Sequence, residues 1–279
     1  MTQTVIPNQV HAQPVRRVMS RAELEAYQQA FAEDGYVVIK NVVPRDRLAV
    51  LHAQIASEFD RQRRTGELFD GGGQLSGHLN CYPGEAARFT YQALEEYGVI
   101  DLIRSLASQP LGQPNVGCNF NMPGSHAQQY HMDRTYTNEF MIANISVVDT
   151  DLVNGATDVV PGTHRRFYKY WQFVLQGKAR QHKRLISEAG DVVVRVSNLW
   201  HRGMPNHSAA PRPMLAFSWE DGGSPHADPF ALDSGRIKFH PNWFAPSRKG
   251  RLIEQAFVRV PLSYYTYRFV NSIFSDKSY

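Results

Sequence analysis

Gly190-Asp191-Val192-Val193-Val194 is a turn feeding a short apolar strand, and it is one beat of a rhythm that begins at Pro114. Apolar segments at 116–122, 128–134, 140–148, 157–160, 191–196 and 213–219 alternate with turn residues, which predicts the strands of a sandwich or barrel. The chain ahead of Pro114 reads differently. Ser20-Arg21-Ala22-Glu23 is a capping box opening a helix over 21–33, with Leu24, Tyr27 and Phe31 on one face and Asp34-Gly35 as its stop. Residues 36–43 are β-branched and apolar, a strand. Pro44 starts a helix over 45–64 with Leu48, Leu51, Ile55 and Phe59 at helical spacing. A Gly-rich loop over 65–83 and a helix over 85–108 are expected next. Helices first and strands after predict a mainly β fold with flanking helices, a β-core buttressed by the N-terminal helices.

Residues 1–18 are expected to form a flexible arm and 19–279 a single domain, with an insertion at 165–188 and an irregular, aromatic extension at 222–279 folded back on the core. The chain has 279 residues, enough for one substantial core, and a net charge of +4, too mild to demand a polyanionic partner. No dense Lys/Arg block interleaved with aromatics is present, which sets nucleic acid aside. No apolar run approaches membrane-spanning length, and residues 1–18 carry no signal-type apolar core. Cys81 and Cys118 show neither metal spacing nor a disulfide framework, so a reducing, cytoplasmic setting is expected.

The chemistry concentrates in His131-Met132-Asp133, His201 and Arg212. On a strand, His131 and Asp133 point the same way. Two imidazoles and a carboxylate are the ligand set of a non-haem iron(II) site that keeps positions open. The cysteines lie outside this set, unlike a closed structural zinc site. Alone, His-x-Asp is equally a surface His and a turn Asp. Its company is Trp200-His201-Arg202-Gly203 in a loop, then Asn206, then Arg212 between two prolines and ahead of an apolar strand. A guanidinium there can fork onto a carboxylate. His207 competes with His201 as third ligand. His126 and His164 are read as structural.

In order, Asp34-Gly35-Tyr36-Val37-Val38-Ile39, His131-Met132-Asp133, Asn154-Gly155 through Val160-Pro161-Gly162-Thr163-His164, Gly190-Asp191-Val192-Val193 and Trp200-His201-Arg202-Gly203 through Arg212 resemble the phytanoyl-CoA dioxygenase (PhyH-like) family of iron(II)/2-oxoglutarate oxygenases. The resemblance implies a double-stranded β-helix (jelly roll, cupin-like). It implies Fe(II) held by His131, Asp133 and His201, and Arg212 on the distal carboxylate of 2-oxoglutarate. It favours His201 over His207, since the Trp-His-Arg-Gly context and the eleven-residue gap to Arg212 fit the family. Some members carry a hydroxyl two positions after the distal His. Here that position is Gly203, and Ser208 is the substitute donor considered. Some use an amide on a preceding strand, for which Asn119, Asn121 and Asn144 are candidates.

The implied reaction consumes O2 and 2-oxoglutarate, releases succinate and CO2, and hydroxylates an unactivated C–H of a small molecule, in specialised or acyl metabolism. Retention of Asp133 argues against halogenation, whereas desaturation, epoxidation and ring closure stay open. For the substrate, residues 77–84 are a polar, aromatic loop that would act as a lid, offering His78 and Asn80. Arg134, Tyr136 and Trp219 lie close in sequence to metal or co-substrate residues. The basic insertion (Arg165, Arg166, Lys169, Lys178, Arg180, Lys183, Arg184) is either a solvated face or an attractor for an anionic substrate. The competing readings are a metal-dependent lyase or isomerase on the same barrel, and a non-catalytic jelly-roll binding protein.

Overall fold

The computed structural model describes residues 19–224 and 228–274, so the arm expected over 1–18 lies outside the described residues. Helix α1 (Arg21–Asp34) starts where Ser20 and Glu23 satisfy each other's backbone N–H groups, and it stops at Gly35 in the left-handed region. Strand β1 (Tyr36–Ile39) is shorter than expected because Asn41 turns at φ 56° and Val42 and Val43 donate to the Gly190 carbonyl. Helix α2 (Arg45–Thr65) buries Leu48, Leu51, Ile55 and Phe59.

The expected lid loop contains a strand, β2 (His78–Tyr82). Its period of two, with Leu79 and Cys81 buried and His78 and Asn80 on the other side, is hidden behind Gly71, Gly72, Gly73 and Gly77. The expected helix over 85–108 is two helices, α3 (Arg88–Glu96) and α4 (Val99–Leu106), broken by Gly98 at φ 79°.

The remaining elements are β3 (Asn115–Asn121), β4 (Met141–Ser146), β5 (Asp158–Val159), α5 (Tyr170–Leu175), β6 (Lys183–Arg184), β7 (Val192–Val196), β8 (His201–Arg202), β9 (Arg212–Ser218), β10 (Lys238–His240), α6 (Arg248–Arg259) and α7 (Ser263–Phe274). Of the strand expected at 128–134 only a bridge between His131 and His201 forms. The extension after residue 222, expected to be irregular, carries β10 and two amphipathic helices.

Seven strands pair antiparallel in the order β1-β7-β4-β9-β3-β2-β10, and β6-β5-β8 form a smaller sheet. The outer face of the large sheet, with Ile39, Leu79, Phe120, Ile145, Val192, Val194, Leu215 and Phe217, joins Leu48, Leu51, Ile55, Leu94 and Ile103 in one core. Each such side chain contributes about 1.5–3 kcal/mol by leaving water. The inner face carries the polar groups: register sets His78 beside Asn121 and Asn121 beside Arg212, with Asn80 beside Asn119, and Asn144 on β4. A one-residue slip would put these groups in the core, so burial fixes the register. Behind the small sheet, Tyr130, Met132, Tyr168, Tyr170, Phe173 and Trp200 form a second cluster, with Phe173 stacked on Trp200 at 4.1 Å. The architecture is a double-stranded β-helix.

Candidate metal centre

His131 and His201 exchange backbone hydrogen bonds of 2.9 and 3.0 Å, which sets their rings 4.4 Å apart between centroids. Asp133, one pleat on, hydrogen-bonds through its N–H to the Ser197 carbonyl. Ligand atoms of His131, Asp133 and His201 lie within 4.8 Å of one another. The Nδ1 atom of His131 meets the Gln129 carbonyl at 2.8 Å, and that of His201 meets the Leu199 carbonyl at 3.0 Å. A carbonyl only accepts, so each Nδ1 carries its proton and each Nε2 keeps a lone pair for a metal. Burial lowers both imidazole pKa values, that of His201 to about 3 with the nearby Arg195 charge adding to it. Neutral rings are what a metal ion needs. Burial pushes the Asp133 carboxyl up, but the charge and hydrogen bond of Arg195 outweigh it and hold it well below the usual carboxylate range.

Arg212 points a cation into the barrel, and no anion among the described residues meets it. It is 3 % exposed, and its Nε and Nη1 are buried without a hydrogen-bond partner. Burial lowers its pKa to about 10. Unmet buried donors are rare and costly, and donors in this arrangement can receive a planar, anionic group. Asn121, paired with Arg212 across the strands, donates to the Met204 carbonyl at 3.0 Å and has its Oδ1 buried and unpartnered. Gly155 permits this approach, since a Cβ there would fall 2.7 Å from the Asn121 amide nitrogen. The residues present therefore fit both a divalent metal and a carboxylate-bearing co-substrate.

The other candidates separate. His78 donates through Nε2 to the His126 carbonyl at 2.7 Å, and burial, with Arg212 and His131 nearby, lowers it to about 4. Asn80 and Asn119 line a cavity of about 390 Å³ with Tyr82, Gly117, Ala216 and His240. None of the triad lines it, but it shares the inner sheet face with Arg212. Asn144 accepts from the Arg195 Nε at 3.0 Å, an orienting contact.

Two expectations need correction. Trp219 is 1 % exposed in the helix-side core, its indole N–H bound to the Gly112 carbonyl, because it follows Ser218 onto the opposite face. Ser208 spends its hydroxyl within its own turn on Asn206 and Ala210. Arg134 is engaged at the rim by Glu220 at 2.6 Å and Asp221 at 3.2 Å, and Tyr136 packs edge-on against Phe167. His207 is exposed and its N–H donates to the Val153 carbonyl. Part of the basic insertion works internally: Arg165 binds the Ala32 and Glu33 carbonyls at the end of α1, and Arg184 pairs with buried Asp158.

Sequence reasoning missed four supports. Arg195 donates to the Asp133 Oδ2 at 2.6 Å. Asp158 receives Arg184, Arg202 and the Tyr130 hydroxyl, on the strand paired with that of His201. Arg268 of α7 donates to the Tyr130 carbonyl at 2.5 Å, immediately before His131. Buried Glu254 of α6 accepts the N–H groups of Leu75 and Ser76 ahead of His78. A lone arginine inside Val192-Val193-Val194-Arg195-Val196 was the readable sign: a cation in an apolar strand needs an anion within reach.

The sequence pattern of the family described as Phytanoyl-CoA dioxygenase (PhyH) matches residues 14–214. Dioxygenase FrzG of Cladobotryum sp is 24% identical over 228 residues, 70% of this chain and 73% of that protein. In fold, the chain is similar to the non-heme alpha ketoglutarate dependent carbocyclase SnoK from nogalamycin biosynthesis, with TM-score 0.57, 17% identity, and 75% and 87% of the two chains covered. It is also similar to the epimerase SnoN in complex with Fe3+, alpha ketoglutarate and nogalamycin RO, with TM-score 0.51, 17% identity, and 72% and 84% covered. Family match, fold and donor set agree, and the chain belongs to the phytanoyl-CoA dioxygenase family of iron(II)/2-oxoglutarate-dependent oxygenases.

Proposed function

We propose that the enzyme hydroxylates an unactivated C–H bond of a small molecule, with His131, Asp133 and His201 holding iron(II) and Arg212 gripping the distal carboxylate of 2-oxoglutarate. The observation that carries this reading is a donor triad accompanied, on the inner sheet face, by a buried guanidinium whose Nε and Nη1 have no partner among the described residues, with His78 near enough to both Arg212 and His131 for their charges to act on it. When bound, iron and 2-oxoglutarate supply the oxidising power, with succinate and CO2 as co-products. The chain's own work is orientation. The Nδ1–H bonds to Gln129 and Leu199 fix both rings, and the Arg212 fork sets the direction of the co-substrate. Asn121, beside Arg212, belongs with the co-substrate end.

The cavity of about 390 Å³ suits a small-molecule substrate, with Asn80 and Asn119 as its amides and His78 one pleat from Asn80 in the cross-strand row of Asn121 and Arg212. Arg134 and Tyr136 belong to the rim. Residues 19–279 act as one domain in this reading, since Arg268 and Glu254 reach back to the site. The buried, unbridged thiols of Cys81 and Cys118 suit the cytoplasm, and no helix among the described residues is long and apolar enough to cross a membrane.

The test is anaerobic addition of Fe(II) and 2-oxoglutarate, which should give a visible charge-transfer band, followed by a compound screen for succinate release. Product mass then separates the outcomes. Hydroxylation adds one oxygen, ring closure removes two hydrogens, and epimerisation leaves the mass unchanged. The last two are the activities in the names of the structural relatives. Absence of the band in the wild-type protein would refute the assignment.

A further inference from the structure

Arg195 is an unexpected residue for its strand. It lies on the inner face of β7 among four valines and is 7% exposed. A buried guanidinium is costly unless its donors are used. Its Nη1 donates to the Asp133 Oδ2 at 2.6 Å, and its Nε donates to the Asn144 Oδ1 at 3.0 Å. The two Asp133 oxygens are thereby assigned different partners. Oδ2 is taken by Arg195, while Oδ1 faces the His201 Nε2 at 3.6 Å. Asn144 sits on the neighbouring strand, with Ile142 of that strand opposite Arg195, so the guanidinium is held at two points and cannot swing away from Oδ2 without breaking both.

We propose that Arg195 is a positioning residue that restricts Asp133 to one-oxygen ligation, so that a coordination place is kept for the gaseous substrate. This rests on the metal assignment above. The count shows why it matters. Two imidazoles, one carboxylate oxygen and a chelating 2-oxo acid fill five of the six places around an octahedral iron. A second oxygen from Asp133 would fill the sixth. The Nη1 contact removes that oxygen from competition by giving it a stronger, charge-assisted partner already in place. A merely structural ion pair would neutralise Asp133 equally well from any direction; this one occupies the single atom that could close the site.

The experiment uses nitric oxide as a probe of the sixth place. The full chain is loaded anaerobically with Fe(II) and saturating 2-oxoglutarate, the charge-transfer band is recorded, and nitric oxide is titrated while the half-integer-spin EPR signal of the iron–nitrosyl adduct is followed. The wild-type protein should bind nitric oxide readily. Arg195→Gln should keep the band yet bind it roughly tenfold more weakly, about 1.4 kcal/mol. Arg195→Lys, which still offers a cation to Oδ2, should recover most of the affinity. Asn144→Ala loosens Arg195 without removing it and should weaken nitric oxide binding in the same direction, and it decides the matter if Arg195→Gln does not fold. Unchanged nitric oxide affinity in whichever of these two variants folds and shows the band would overturn the proposal. A wild-type protein with no band would instead overturn the metal assignment, so the two failures are distinguishable.

Discussion

Replacing Arg212 with Met should stabilise the metal-free protein and disable co-substrate binding, two effects of opposite sign from one side chain. Arg212 is buried with unpartnered Nε and Nη1, and burial takes its pKa from 12.5 to about 10. That fall corresponds to ~3 kcal/mol. The sign follows from linkage. The folded value lies below the unfolded one, so the unfolded chain binds the proton more tightly, and the penalty on folding is in full force below pH 10. It fades only as pH rises toward 12.5. A Met of similar bulk fills the space without charge. Scanning calorimetry of the metal-free variant should therefore show Tm about 6 °C higher, at ~2 °C per kcal/mol for a chain of this size. With Mn(II) present, 2-oxoglutarate should raise the wild-type Tm but not that of the variant. Removing the charged partner of a buried carboxylate costs ~3–5 kcal/mol, or at least a hundredfold in affinity. A variant Tm below wild type would refute the desolvation argument, and an unchanged 2-oxoglutarate dissociation constant would refute the role assigned to Arg212.

Three further outcomes are expected. His131→Ala and His201→Ala should abolish the Fe(II)/2-oxoglutarate absorption band, while exposed His207→Ala keeps it; equal loss in the His207 variant would mean the third ligand is misassigned. Burial lowers His78 to about 4 and His201 to about 3, so the unfolded chain takes up protons first, and metal-free stability should hold above pH ~6.5 and decline toward pH 4. Urea midpoints against pH measure this, and His201→Gln should flatten the profile. Gly117 lies mid-strand with ordinary φ and open space where a Cβ would stand, so Gly117→Ala should raise stability by ~0.5–1 kcal/mol in the same urea assay; a loss would show that the cavity floor is tighter than described.

Much of the candidate site was legible because its donor residues sit on local patterns. His131 and Asp133 need only the two-residue period of an extended chain, and Arg212 only its place ahead of an apolar strand. The β2 strand was not, because four glycines before it look like a loop and its pairing partner, Asn115–Asn121, lies more than thirty residues away. Trp219 was misplaced for a related reason. Proximity in sequence ignores which side of the pleat a residue takes, and Trp219 takes the helix side. Arg195, Asp158 and Arg268 were missed because their partners are distant in the chain, 62 positions away for Arg195 and Asp133 and 138 for Arg268 and Tyr130. The break at Gly98 shows the converse, where a local residue overrules a long helical periodicity.

The family pattern stops at residue 214, yet Glu254 and Arg268 come from beyond it and touch the segments that carry His78 and His131. Anyone trimming this protein to its recognisable region would retain every ligand and still forfeit the scaffolding that aims them. Removing the last two helices should accordingly change metal retention as well as solubility.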